Sequence, residues 1–113
     1  EYSCQLWHGG LTESQKSLIE SIQQRAIKIS HPATSYDEAL DVTGLVSLYD
    51  RRELLTERLF IDCQDPSHKL SALLNLNENP HDKRSKSIFF HPKWFTKRYR
   101  NSFIPYCLYN FDV

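Results

Sequence analysis

Apolar positions in the first 74 residues recur at the three- and four-residue spacing of a buried helical face, and short polar signals punctuate them. Glu1–His8 (EYSCQLWH) sets Tyr2, Leu6 and Trp7 at that spacing before Gly9-Gly10. It reads as the last turns of a helix closed by a glycine in the left-handed region. Thr12 followed three residues later by Gln15 has the form of a capping box. Behind it Leu18, Ile19, Ile22, Ala26 and Ile29 make one predicted buried stripe, with Glu20, Gln23, Gln24 and Lys28 mainly outside it. His31-Pro32 ends this helix, because a residue before proline is pushed out of the α region. Ser35 caps a shorter helix with Glu38 at its third position, apolar Tyr36, Ala39, Leu40 and Val42, and a closing Gly44. Ser47 opens another with Asp50 at its third position. Its stripe is Leu48, Leu55, Leu59 and Cys63, flanked by Phe60, and it stops before Asp65-Pro66. His68, Leu70, Leu73 and Leu74 predict a last short helix over Ser67–Leu74.

The pattern changes at Asn75. Asn77–Ser87 (NENPHDKRSKS) is polar and contains a proline, which predicts a loop or linker. From Ile88 onward aromatics dominate, interrupted by Pro92 and Pro105. A short extended piece is expected at Ile88–Phe90 and a helical turn near Ser102–Asn110. The fold class that follows is mainly α: a small bundle of three to four helices over residues 1–74, then a polar linker and an irregular basic-aromatic tail over residues 75–113.

Composition adds two constraints. No apolar run approaches the roughly 18 residues of a membrane helix, and no signal peptide is visible, so a membrane is not expected as a partner. The chain has no methionine and opens inside an apolar pattern, which suggests a segment of a larger polypeptide. The net charge of zero is made of unlike halves. Residues 1–74 carry eleven acids against seven bases, and residues 75–113 carry three acids against seven bases. A basic half points to a polyanionic partner, nucleic acid first. Cys4, Cys63 and Cys107 are far apart and lack the spacing of a zinc knuckle. They are expected as buried free thiols in a reducing cytoplasm or nucleus.

The most informative local feature is Lys83–Arg100, where seven bases and five aromatics share 18 residues. Lysine and arginine neutralise phosphates with release of counterions, and aromatic faces stack on unpaired bases. The tail candidates are Lys83, Arg84, Lys86, Lys97, Arg98 and Arg100. The guanidiniums of Arg98 and Arg100 are suited to forking onto phosphate oxygens. A plainer alternative is a charged loop whose aromatics pin the tail to the bundle. Cys4 and His8 are four residues apart, half a metal site at most, and a histidine partly buried beside Trp7 explains them better. Asp37, Glu38 and Asp41 are close in sequence, but Glu38 reads as a capping partner and Asp37 as a first-turn dipole contact. The run Asp50-Arg51-Arg52-Glu53 with Glu57 reads as surface pairs along a helix. No catalytic residue and no metal ligand is assigned.

Glu1–Ser30 resembles the segment just after the palm of reverse transcriptases encoded by jockey- and CR1-like non-LTR retrotransposons. The matching residues are Glu1, Tyr2, Trp7, His8, Leu11, Thr12, Gln15, Glu20, Ile22, Gln23, Arg25 and Ala26. The similarity continues through Ser35-Tyr36, Ala39-Leu40, Gly44-Leu45 with Leu48, Arg51–Leu54 and Asp65–Leu70. It returns at Arg98–Cys107 (RYRNSFIPYC), which is similar to a signature near the C-terminus of these polyproteins. Pro80–Lys97 matches no motif of the family. The resemblance implies a non-catalytic, thumb-like and tail segment that holds an RNA–DNA template–primer duplex by its backbone. The catalytic aspartates and their Mg²⁺ would belong to a palm upstream in the same polypeptide. It adds Arg25 and Lys28, on the polar side of the first long helix, as thumb candidates. Two other classes remain open: a small helical module whose Trp94, Phe103 and Tyr106 dock on a protein partner, and a decayed retroelement copy without activity.

Overall fold

A computed structural model describes residues 2–76 and 88–112, and these are mainly helical. The six α-helices are α1 (Cys4–Trp7), α2 (Glu13–Ser30), α3 (Tyr36–Thr43), α4 (Leu48–Cys63), α5 (Lys97–Arg100) and α6 (Phe103–Phe111). Single 3-10 turns lie at His8–Gly10 and Ser71–Leu73. Among the described residues the one extended pairing is an antiparallel bridge between Leu76 and Phe89. It is backed by the Phe90 amide, which donates to the Asn75 carbonyl at 2.7 Å. The extended piece expected at Ile88–Phe90 is thus present. The linker expected at Asn77–Ser87 lies outside the described residues. No helix among the described residues is long and apolar enough to cross a membrane.

The chain divides into two compact units, one made of Leu11–Leu54 and the other of Glu1–Gly10 with Leu55–Val113. The tail therefore belongs to the same unit as the second half of α4. The helical turn expected near Ser102–Asn110 is α6, and α5 makes the tail more regular than expected. Pro105 does not prevent α6, because it occupies the first turn, where a missing N–H costs nothing.

In the Leu11–Leu54 unit the polar signals act as the sequence suggests. Thr12 and Gln15 bond reciprocally to each other's amides at 3.3 and 3.0 Å, and Ser35 and Glu38 do the same at 3.4 Å. Gly44 ends α3 at φ 70°, a left-handed conformation that costs glycine little. The joint between helices is set by Glu20. Its carboxylate accepts from the amides of Leu48 at 3.2 Å and Tyr49 at 3.3 Å, while the Ser47 hydroxyl accepts from Asp50 N–H at 3.1 Å. Three otherwise unsatisfied donors in the first turn of α4 are met in this way, by a negative charge placed where the helix dipole favours it. The Tyr36 hydroxyl donates to the same carboxylate, and Gln23 donates to that hydroxyl and to the Val46 carbonyl.

The buried stripe expected on α2 is not buried. Leu18, Ile22 and Ile29 are 68%, 66% and 84% exposed, Ala26 is exposed, and Ile27 is the buried residue of this helix. Ile19 of that stripe is half-buried. The face that meets the neighbouring elements is the one of Glu20, Gln23 and Ile27, whose polar members bond to Tyr36, Val46, Leu48 and Tyr49. Arg52, expected on the surface, is fully buried on α4.

The other unit has the main core. Phe60, Phe89, Cys107 and Leu108 are buried together, with Leu74, Phe103, Ile104, Tyr106 and Phe111 packed around them. Phe60 meets Phe89 edge to face at 6.1 Å and lies tilted against Phe111 at 6.2 Å. Burial of each large apolar side chain here contributes about 1.5–3 kcal/mol. Leu55 and Leu59 are half-buried and Cys63 is buried, which agrees with the stripe expected on α4. The three cysteines are buried free thiols.

Two further expectations are corrected in this unit. Gly9 and Gly10 do not close a helix in the left-handed region, since Gly44 is the described glycine with positive φ. Gly9 instead permits close approach: a Cβ there would lie 2.6 Å from the Tyr106 ring and 2.9 Å from the Asn101 carbonyl oxygen. The helix expected over Ser67–Leu74 shrinks to the 3-10 turn Ser71–Leu73. Local side-chain bonds take its place: Asp65 Oδ1 accepts from Ser67 N at 2.9 Å, and His68 Nδ1 accepts from Leu70 N at 3.2 Å. Side-chain acceptors of this kind compete with the helical ladder.

Candidate nucleic-acid interface

Short-range bonds hold the basic tail in place. Thr96 caps α5 by accepting from Tyr99 N–H at 3.2 Å, which fixes Lys97, Arg98, Tyr99 and Arg100 in one turn. All four are exposed. On the N-terminal side, Trp94 donates from Nε1 to the Tyr109 hydroxyl at 2.8 Å and so ties the segment to α6. The Arg100 guanidinium lies 5.0 Å from the Trp94 ring centroid and 5.4 Å from that of Tyr109. Its charge is thus shared with two aromatic faces, an arrangement typical of a planar cation.

The strand end of the tail is anchored by Asp112. Its carboxylate accepts from the amides of Ile88 and Phe89 at 3.0 Å each, and Oδ2 lies 2.9 Å from His91 Nε2. Burial alone would raise the Asp112 pKa, but the contact with His91 and the two amide bonds outweigh it and hold the carboxyl below its ordinary range. His91 in turn meets the Tyr109 ring at 5.8 Å. A second carboxylate contact shifts a neighbour in the Leu11–Leu54 unit. Burial, followed by the hydrogen bond to Glu20, pushes the Tyr36 phenol up to about 12.

Of the sequence candidates, Lys97, Arg98 and Arg100 come together on α5. Arg25 and Lys28 are exposed one turn apart on α2, in the other unit. Lys83, Arg84 and Lys86 lie outside the described residues. Among the described residues no ion pair engages Arg25, Lys28, Lys93, Lys97 or Arg98. No acidic residue occurs between Asp82 and Asp112 in the sequence. The stretch from Lys93 to Arg100 is therefore a concentration of positive charge with no described local neutralisation. Sequence reasoning missed two parts of it: the Trp94–Arg100–Tyr109 stack and the anchoring role of Asp112. The first left a trace in the alternation of cations and aromatics. The second pairs residues more than twenty positions apart and leaves none.

Among the described residues no three His, Cys, Asp or Glu side chains are grouped to hold an ion. His8 is fully buried, with its ring edge-on to Tyr106 at 5.8 Å. No protein-family model, curated protein or solved structure matches the chain.

Proposed function

We propose that this chain is a non-catalytic, thumb-like and tail segment of an RNA-directed DNA polymerase of the non-LTR retrotransposon kind, which grips template–primer RNA–DNA by its backbone. The observation that supports it best is the exposed cluster Lys93, Lys97, Arg98 and Arg100, which makes no ion pair among the described residues and is held by the Thr96 cap and the Trp94–Tyr109 bond. Fixed cations that release counterions on meeting phosphates give sequence-independent affinity, which is what a grip on a moving duplex requires. Arg25 and Lys28 supply a second exposed pair on α2. In this reading the chemistry and its Mg²⁺ belong to a palm elsewhere in the polypeptide. Three buried thiols suit a reducing cytoplasm or nucleus.

One observation also favours a protein neighbour. The α2 stripe of Leu18, Ile22 and Ile29 is exposed, and the palm is the partner that the proposal assigns to it. Large apolar side chains left exposed on one side of a helix are typical of an interaction surface.

The test is binding of an RNA–DNA template–primer to the full chain and to the double variant Lys97→Ala/Arg98→Ala. Arg100 is left intact, because its guanidinium also packs on Trp94 and Tyr109. The double variant should bind at least tenfold more weakly at low salt while it unfolds like the parent. Unchanged affinity would remove the tail from the interface.

A further inference from the structure

The tail exposes more than charge. Phe95 is 93% exposed, Phe90 55%, Tyr99 46% and Trp94 36%, so four aromatic side chains with free surface lie within the eleven residues that also contain Lys93, Lys97, Arg98 and Arg100. A duplex held by its phosphates gives such rings nothing to contact, because paired bases keep their faces stacked inside the helix. A protein partner would accept the rings and arginines, which are common at protein interfaces, but not the two lysines set among them, which are depleted there. Unpaired nucleotides satisfy both halves of the pattern. Each base has a π-face to lay on an aromatic ring, and each phosphate meets a cation.

We infer that residues 90–100 form a binding platform for single-stranded nucleic acid, with Phe95 and Tyr99 as stacking residues and Lys97 and Arg98 as phosphate contacts. This rests on the reading that the tail meets nucleic acid and adds to the duplex grip a second form that it holds: the unpaired strand beside the duplex. Trp94 has a different part. Its Nε1–H is committed to Tyr109 and its ring to Arg100, so it supports the platform from beneath. The stack also removes part of the freedom that Arg100 would otherwise lose on binding, leaving a pre-oriented guanidinium for an incoming phosphate or base.

Fluorescence anisotropy with a labelled oligothymidylate, alone or annealed to oligoriboadenylate, tests this on the full chain. The single strand should bind more tightly than the RNA–DNA duplex. Phe95→Ala should weaken single-strand binding about tenfold and leave duplex binding unchanged. Phe95 is almost fully exposed, so this variant should unfold as the parent does. Tyr99→Leu, which keeps the apolar bulk without an aromatic face, should act in the same direction. Duplex binding equal to or tighter than single-strand binding, with no effect of Phe95→Ala, would overturn the platform and leave the backbone grip standing. A loss of single-strand and duplex binding to the same extent in Phe95→Ala would also overturn it. Binding of neither probe would overturn both readings.

Discussion

At Gly9 the absence of a single methyl group decides how closely Tyr106 of α6 can approach the turn after α1. The ring and the Asn101 carbonyl leave a Cβ less than 3 Å on either side, and Asn101 contributes backbone that cannot rotate away. Gly9→Ala should therefore destabilise the chain by about 1–3 kcal/mol in denaturant unfolding, the range of an overpacked core. The sequence reading noticed Gly9 but gave it the wrong task, since a glycine needed for space and one needed for positive φ look alike in a string. Asp112 is the opposite case: nothing near it in sequence announces that it closes the strand end. Its folded pKa lies below the ordinary 3.8. The stabilisation it gives is thus fully present above that value and lost as pH falls through the folded pKa. Asp112→Asn should cost about 1–3 kcal/mol at neutral pH, because the Ile88 amide and the buried Phe89 amide lose a charged acceptor. It should also flatten the acid limb of the stability profile. An equal acid slope in parent and variant would show that Asp112 does not carry it.

Elements followed from the sequence where their ends are written in local chemistry. Thr12–Gln15, Ser35–Glu38, Gly44, Ser47 and His31-Pro32 bound α2, α3 and the start of α4 much as their spacing suggests. What the spacing could not show is which apolar face finds a partner. The α2 stripe has helical period, but its neighbours meet the face of Glu20, Gln23 and Ile27 instead, so Leu18 and Ile22 stay in contact with solvent. Ile22→Gln should accordingly change the stability of the chain by less than about 0.5 kcal/mol, the usual range of a surface substitution. A much larger loss, read by thermal or denaturant unfolding, would mean that the face is covered. Glu20 was placed on the polar side of α2, and its role as acceptor for the first turn of α4 needed the fold to become visible. Glu20→Ala should cost about 1–2 kcal/mol, as removal of an N-cap does. Tyr36, bonded to the same carboxylate, has a pKa raised to about 12. Its contribution is present below the ordinary phenol value near 10 and lost as pH rises toward 12.

For the whole molecule, the helical class and the exposure of the basic tail were legible, because both depend on residue types repeated along the chain. The organisation into two units was not, since it joins α1 to residues beyond Leu54 across a stretch that forms a unit of its own. The tail looked irregular because its prolines and aromatics fit no simple period, yet Phe89, Cys107 and Leu108 from it supply much of the main core. That integration is what turns Lys97, Arg98 and Arg100 from loose charges into a fixed array, and a fixed array on nucleic acid has a thermodynamic signature. The most direct test is the affinity of the full chain for an RNA–DNA template–primer with a single-stranded overhang, measured across a series of salt concentrations. The account predicts a linear fall of log K with log salt, and a slope shallower by about 0.7–0.9 for each of Lys97→Ala and Arg98→Ala. An affinity independent of salt, or a slope unchanged by both substitutions, would contradict it.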